Sequence, residues 1–249
     1  HRDLHSFPTR RSSDLGSDYM PTWSPDGAKI AFVSHRSGNA DVWVMDNDGD
    51  NASLLTDTGA AEWTPSWSPD GTKIAFASQR DGNYEVYVMD ADGSNETNLS
   101  NNEGFDYGPA WSPDSSQLTF VSDRDGNYEI YVMDADGDNQ TRITTNASLD
   151  SNPAWSPDGS QIAFDSTRSG GFEIHVMDAD GDNVIQLTDA TGNDVNPTWS
   201  PDGAHIAFES SRTASEQIWV MDADGANQLN LSDAGIDNQN PHWGPLMPL

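Results

Sequence analysis

The sequence contains no cysteine, only two lysines and no apolar run long enough to cross a bilayer. Without thiols, disulfides and thiolate metal sites are excluded, and a spanning helix would need roughly 20 apolar residues in succession. Basic side chains are scarce: 11 Lys and Arg stand against 41 Asp and Glu, for a formal charge of −30. Because such a surface repels nucleic acid and anionic lipid, we expect neither nucleic-acid binding nor membrane insertion.

The first 15 residues, HRDLHSFPTRRSSDL, have no counterpart in the rest of the chain. They agree at every position with the translation of a widely used short-read sequencing adapter. We therefore interpret residues 1–15 as a non-native artefact of sequence assembly and expect them to be unstructured. Residues 16–249 are assigned to a single domain.

A repeat of 44 residues runs through this domain. Its clearest marker is a tryptophan that follows a proline by two positions and recurs without insertion or deletion. The six tryptophans are Trp23, Trp67, Trp111, Trp155, Trp199 and Trp243. Phenylalanine and methionine columns recur at the same interval. A unit of this length is typical of a four-stranded propeller blade.

Each repeat predicts four short strands separated by turns, and in the second repeat the fourth strand is expected to end at Leu99–Ser100. In the second repeat, Ser-Pro-Asp-Gly at 68–71, Arg-Asp-Gly-Asn at 80–83 and Asp-Ala-Asp-Gly at 90–93 carry turn chemistry. The segments Lys73–Ser78 and Glu85–Met89 are apolar on both faces, which indicates sheets covered on both sides. The sequence therefore predicts an all-β protein: a β-propeller of five complete four-stranded antiparallel blades plus the first strand of a sixth.

The repeat resembles a known family. The patterns P-x-W-S-P-D-G, K-I-A-F-x-S-x-R-D-G and I-Y-V-M-D-A-D-G-x-N-x-x-x-L-T, found across residues 18–244, resemble the WD40-like repeats of TolB-type β-propellers. The resemblance implies a ring of six blades, of which this chain is a fragment, with a segment upstream of Gly16 completing the sixth blade. It also implies a periplasmic or secreted location and a protein or peptide partner.

An acidic column precedes each proline by three positions and is the first candidate site. Its members are Asp18, Glu62, Asp106, Asp150 and Asp194, with Asn238 in the sixth repeat. Equivalent positions on the innermost strands surround a propeller axis, where grouped carboxylates attract a cation. We predict a ligand or cation site at the channel mouth. The alternative is that these acids border the opening in solvent or cap backbone amides.

A second acidic pattern, Asp-x-Asp-Gly, gives the candidate calcium ligands. These are Asp46, Asp48, Asp90, Asp92, Asp134, Asp136, Asp178, Asp180, Asp222 and Asp224. The glycine is fourth rather than sixth and no Glu closes the loop, unlike the helix-loop-helix calcium motif. Hairpin turns with Asx hydrogen bonds explain the pattern, and weak calcium binding is the alternative. No other cofactor is expected.

One arginine per repeat follows the second strand, and we expect it to form a local ion pair. These are Arg36, Arg80, Arg124, Arg168 and Arg212.

The sequence contains no nucleophile-elbow motif and no convergent histidine set, so we predict a protein that is not an enzyme. The leading interpretation is an extracytoplasmic scaffold that binds a protein or peptide. Two alternatives stay open: an accessory propeller of a larger enzyme such as a serine peptidase, and a structural or adhesive cell-surface repeat protein. The loops that differ most between repeats, at 59–63, 101–107 and 145–151, are the expected partner-selecting positions.

Overall fold

The structure is a computed structural model that describes residues 17–213, 215–232 and 238–244. The predicted artefact at 1–15 lies outside the described residues. Within them, 20 strands form five four-stranded antiparallel sheets in which the strands pair in chain order. No helix in these ranges has the length and hydropathy of a membrane span. The prediction of five complete blades is confirmed.

The first strands of the blades are β1 (Asp18–Trp23), β5 (Glu62–Trp67), β9 (Asp106–Trp111), β13 (Asp150–Trp155) and β17 (Asp194–Trp199). The second strands are β2 (Lys29–Ser34), β6 (Lys73–Ser78), β10 (Gln117–Ser122), β14 (Gln161–Ser166) and β18 (His205–Ser210). The third strands are β3 (Asp41–Asp46), β7 (Glu85–Asp90), β11 (Glu129–Asp134), β15 (Glu173–Asp178) and β19 (Gln217–Asp222). The fourth strands are β4 (Ser53–Leu54), β8 (Thr97–Asn98), β12 (Thr141–Arg142), β16 (Ile185–Gln186) and β20 (Leu229–Asn230).

The fourth strands are shorter than the sequence predicts. In the second blade we expected this strand to end at Leu99–Ser100, but it ends at Asn98. The backbone N–H of Val86 donates to the Ser100 hydroxyl at 2.9 Å rather than to a main-chain carbonyl. Because the side chain takes the place of the next ladder bond, β8 stops there. Thr56, Thr144, Thr188 and Ser232 do the same in the other blades.

The hydrophobic core lies between the blades. The first strands of successive blades contact one another and so surround the axis. Phe120 of the third blade is fully buried and packs in one cluster with Ala75 and Val88 of the second blade. The second strands are buried on both faces along almost their whole length. The expectation that neighbouring blades cover each other's faces is therefore confirmed.

The segment 238–244 follows the path of a sixth first strand without pairing as one. The Trp243 indole donates to the Thr198 carbonyl at 3.2 Å, as the Trp199 indole donates to the Ala154 carbonyl one blade earlier. On its other side, His242 Nε2 lies 3.4 Å from the Thr22 hydroxyl of β1. No strand is assigned here because the described residues include no second strand to form its ladder.

Every first strand carries a β-bulge near its middle. The register against the second strand shifts between Trp63 and Ser66 in the second blade, with equivalent shifts in the others. The bulged residue has a positive φ. These residues are Met20, Thr64, Gly108, Asn152 and Asn196, with Asn240 in the segment 238–244. Asn and Gly tolerate this conformation best. The bulged residue follows the predicted acidic column by two positions, so the bulge lies beside the candidate site.

Replacing Phe120 with alanine should destabilise the fold strongly. The ring is fully buried between two blades, so its loss leaves a cavity that costs about 3–5 kcal/mol in the free energy of unfolding. The matched control is Phe105→Ala, because Phe105 is 42% exposed and should change stability by only about 0.5 kcal/mol. Urea unfolding of both variants measures the difference. Equal effects would contradict a core placed between the blades.

Candidate functional site

The Asp-x-Asp-Gly segments form tight turns at the lower face, the end of the sheets opposite the start of the first strands. In the first blade the Gly49 N–H donates to the Asp46 carbonyl at 2.9 Å, and the Asp50 N–H donates to the Asp48 carboxylate at 3.0 Å. The Asp46 carboxylate accepts bonds from Asn51 and Lys29 at 2.7 and 3.0 Å. These bonds lower the pKa of Asp46. Asx turn chemistry therefore accounts for the acids.

Packing against the neighbouring blade also requires glycine in these turns. Gly137 has a φ of +91°, and a Cβ there would lie 2.9 Å from the Leu99 carbonyl oxygen of the preceding blade. The turn thus docks closely on its neighbour. Among the described residues no three His, Asp or Glu side chains converge well enough to hold a metal ion. Calcium binding at these turns stays a prediction.

The acidic column at the start of the first strands is buried and paired with the arginine column. Asp106, for example, is fully buried and accepts from Arg124 at 3.0 Å. The pairs are Arg36–Asp18 at 3.0 Å, Arg80–Glu62 at 3.5 Å, Arg124–Asp106 at 3.0 Å, Arg168–Asp150 at 3.0 Å and Arg212–Asp194 at 2.5 Å. The expected local ion pairs of the arginines are confirmed. The column is thus an interior feature, with Asp18 the most open at 14% side-chain exposure.

Each of these arginines also stacks on aromatic rings of its own blade. The Arg124 guanidinium carbon lies 5.3 Å from the centre of the Phe120 ring and 4.7 Å from that of Tyr131. Its Nε donates to the Ser122 hydroxyl at 2.8 Å. Stacking and hydrogen bonds together hold the guanidinium in place to face the carboxylate.

A second buried acidic column occupies the first position of the third strands. It was not predicted from the sequence. Its members are Asp41, Glu85, Glu129 and Glu173, with Gln217 in the fifth blade. Glu85 accepts from the Ser100 hydroxyl at 2.5 Å and from Asn83 at 2.8 Å. Burial raises the pKa of Glu85, and the charge of Asp106 on the next blade raises it further. The signal was present in the sequence as an acid five positions after the arginine in each of the first four repeats.

Each blade interface therefore holds two carboxylates from adjacent blades and one arginine. We call this set the inter-blade clamp: in the second interface it comprises Glu85, Asp106 and Arg124. At the first interface Asp41 and Glu62 interact directly, and burial raises the pKa of Glu62. After the fifth blade both acidic columns change to amides, at Gln217 and Asn238. The predicted channel-mouth residues thus belong to a polar belt inside the ring.

Aromatic side chains cluster on the upper face, where the first strands begin. Tyr19 is 40% exposed, and its ring centre lies 6.2 Å from that of Trp63 on the next blade. The His35 ring contacts both, at 6.0 and 5.8 Å. Tyr107, at the equivalent position of the third blade, packs against Tyr128 at 5.5 Å. Tyr19, Trp63 and Tyr107 are called the aromatic arc below. Trp63 and Tyr107 lie in loops predicted to select a partner.

The fourth and fifth blades carry Ser151 and Val195 in place of these aromatic rings, with an acid at the neighbouring second-strand position. Asp165 and Glu209 stand in β14 and β18 at a position that is valine or alanine in the first three blades: Val33, Ala77 and Val121. Asp165 accepts from Asn152 at 2.8 Å, from the Asn196 N–H at 3.0 Å, and from Ser151.

Glu209 extends the same network toward the segment 238–244. It accepts from Asn196 Nδ2 at 2.8 Å and from the Asn240 N–H at 2.5 Å. Asp165 and Glu209, with Asn152, Asn196 and Asn240, are called the polar arc. Sequence reasoning missed these residues, although their departure from the other repeats was a readable signal.

The two carboxylates of the polar arc are buried without a basic partner. Asp165 is fully buried and Glu209 is 5% exposed. Burial raises the pKa of Asp165 to about 6 and also raises the pKa of Glu209. Within residues 17–213, 215–232 and 238–244, no Lys or Arg forms an ion pair with either of them. The arrangement offers hydrogen-bond acceptors and negative charge beside aromatic rings, which is chemistry for binding.

Five four-stranded blades around a common axis define the chain as a β-propeller. The family model of the TolB β-propeller domain matches residues 20–152, 94–184 and 148–246. The chain belongs to the TolB β-propeller family, as the repeat motif predicted.

Known proteins of similar sequence or structure agree with this assignment. TolB from Acinetobacter baumannii superimposes with a TM-score of 0.83 and 27% identity, covering 92% of this chain and 58% of that one. A TolB homolog from Chlorobium luteolum is 51% identical over 35 residues, which are 14% of this chain and 8% of that protein. The chain therefore spans less than two thirds of either relative. A puromycin-hydrolysing peptidase from Mycobacterium tuberculosis shares only the fold, with a TM-score of 0.71, 17% identity and coverage of 90% and 38%.

Asp165→Asn should change the pH dependence of stability. The pKa of Asp165 is about 6 in the folded protein and 3.8 as an ordinary value, so the folded state binds more protons between these limits. Stabilisation from this group is therefore present below about pH 4 and lost as the pH rises through about 6. The free energy of unfolding of the wild type should fall relative to the variant by on the order of 3 kcal/mol between pH 4 and pH 7.5.

Urea unfolding across that pH range measures the effect, with the exposed Asp136→Asn as the control for a change of one charge. A constant difference between wild type and Asp165→Asn at every pH would contradict the raised pKa.

Proposed function

We propose that this propeller is a non-catalytic scaffold that binds a protein or peptide segment on its upper face, outside the cytoplasm. The observation that carries the proposal is the aromatic arc on a chain of the TolB family. Tyr and Trp present large rigid surfaces with a polar atom, and they are enriched at protein interfaces and their hot spots. Tyr19 and Trp63 offer such a surface at the mouth of the axis.

The upper face suits a partner better than the lower face does. On the lower face the acids of the turns are engaged in bonds to their own backbone, as at Asp48 and Asp92. On the upper face the residues differ from blade to blade while the framework repeats. A surface that varies on a constant frame is where a repeat protein gains specificity.

The absence of catalysis and of a bound cofactor is part of the same proposal. The upper face brings together aromatic rings, amides and carboxylates. The hydroxyl that lies beside the buried Glu85 carboxylate, that of Ser100, also accepts from the Val86 N–H and so serves the end of a strand. The likeness to a peptidase propeller at 17% identity concerns the fold alone, so a role as an enzyme's accessory propeller has no specific support. The strongly acidic surface disfavours nucleic acid as a partner.

Trp63→Ala should abolish most binding to the upper face. The suitable measurement starts from a phage-displayed library of random 12-residue peptides selected on the wild-type chain, with affinities of selected peptides measured by fluorescence anisotropy. Loss of an aromatic hot spot should weaken binding by about 30-fold, equivalent to roughly 2 kcal/mol. The matched control is Leu229→Ala, which removes a side chain 59% exposed on the fifth blade and should leave affinity unchanged. Failure to select any peptide sensitive to Trp63→Ala would contradict the proposed function.

A further inference from the structure

The mouth of the axis is divided into two chemically different halves. Blades one to three contribute the aromatic arc, and behind it the second-strand position holds Val33, Ala77 and Val121. Blades four and five, with the segment 238–244, contribute the polar arc. The backbone is the same in both halves, since the bulge and its positive φ recur at Thr64 and at Asn196. The division is therefore made by side chains alone.

The charge of the polar arc is not compensated from within the described part of the chain. The carboxylates of the inter-blade clamps face an arginine of their own interface, as Asp150 faces Arg168 at 3.0 Å. Asp165 and Glu209 receive bonds only from hydroxyl and amide groups there. Buried carboxylates without a cation are costly. A positively charged group of a ligand would stabilise these two carboxylates, and the ion pair would be shielded from solvent.

One carboxylate oxygen of Glu209 can accept a hydrogen bond from a ligand. Glu209 Oε1 accepts from Asn196 and from the Asn240 N–H, at 2.8 and 2.5 Å. Its Oε2 has no hydrogen bond with any residue that the structure describes. A basic side chain entering from the mouth of the axis would find this oxygen as its acceptor, with the Asp165 carboxylate on the neighbouring blade adding to the attraction.

The two arcs are close enough to be occupied by one short segment. Tyr107 closes the aromatic arc in β9, which contacts β13 of the fourth blade, and Ser151 of β13 donates to the Asp165 carboxylate. The halves thus meet where blades three and four adjoin. A cation near this junction would also lie beside the faces of Tyr rings, which attract cations.

We propose that the ligand of the upper face is a peptide segment in which a Lys or Arg lies within a few residues of an aromatic or large aliphatic side chain. The polar arc receives the basic group, and the aromatic arc receives the apolar one. This inference rests on the proposed function and specifies the chemistry of its partner. The chain has 41 acidic and 11 basic residues, and this excess of negative charge also favours the approach of a cationic segment.

The test uses the peptides selected from the 12-residue library and a double variant, Asp165→Asn with Glu209→Gln. This variant removes two charges while keeping the shape of both side chains and one acceptor oxygen in each; an amide N–H donor replaces the other oxygen. The control, Asp136→Asn with Asp180→Asn, removes the same charge from turns on the lower face. Thermal unfolding of each variant establishes that it is folded before binding is measured.

We expect the selected peptides to be enriched in Lys or Arg close to Phe, Tyr, Trp or Leu. Their affinity should fall about tenfold or more in the double variant and stay unchanged in the control. Higher salt should weaken the wild-type complex. Neutral or acidic peptides that bind wild type and double variant equally, yet depend on Trp63, would overturn this inference and leave the proposed function standing. Absence of any Trp63-dependent peptide would overturn both.

Discussion

The inter-blade clamp is the interaction on which the rest of the structure depends. Four of the five core clusters in the described residues combine side chains of two adjacent blades, so a blade buries much of its apolar surface only against its neighbour. The clamp connects neighbouring blades through the segment between them: the Asn102 N–H donates to Glu85 of the second blade at 3.2 Å, and the Asn102 side-chain amide donates to Asp106 of the third blade. Asp106 also accepts from Arg124 of its own blade at 3.0 Å. A buried pair of carboxylates with one arginine tolerates little displacement, because a separated partner would leave an uncompensated charge. The clamp therefore adds a buried polar connection to the apolar packing between blades.

Because the backbone of the blades repeats, a few side chains can determine what the upper face binds. The second strands carry equivalent positions that pair with the first strands beside the bulge, so a substitution at one of them changes chemistry without moving the backbone. The change from Val121 to Asp165 between the third and fourth blades is such a substitution. Asp165 and Glu209 in turn accept the N–H of the next blade's bulge, at Asn196 and Asn240. The polar arc thus combines a structural bond between blades with a charge available to a ligand.

The sequence predicted the fold closely because each blade repeats the same local signals. The second strand Lys73–Ser78 was predicted to the residue, since the turns on both sides are unambiguous. The fourth strand was not, because a hydroxyl such as that of Ser100 ends its ladder, and strand propensity does not show this.

The site was harder to predict. The burial of Asp106 depends on an arginine that folding brings across the blade, and composition alone makes such an acid look solvated. The polar arc could be predicted only by aligning the repeats with one another, because Asp165 is unusual only in comparison with the equivalent residues of the first three blades.

The clamp is tested most directly by a double-mutant cycle on Asp106 and Arg124, with the free energy of unfolding measured for Asp106→Asn, Arg124→Gln and the double variant. Each single variant leaves one buried charge without its partner, so each should lose about 3–5 kcal/mol. The double variant should lose less than the sum of the two by more than about 1 kcal/mol, as expected for groups in direct contact. Small, additive losses would show that the Asp106–Arg124 pair of the clamp is not energetically coupled, and would contradict the account.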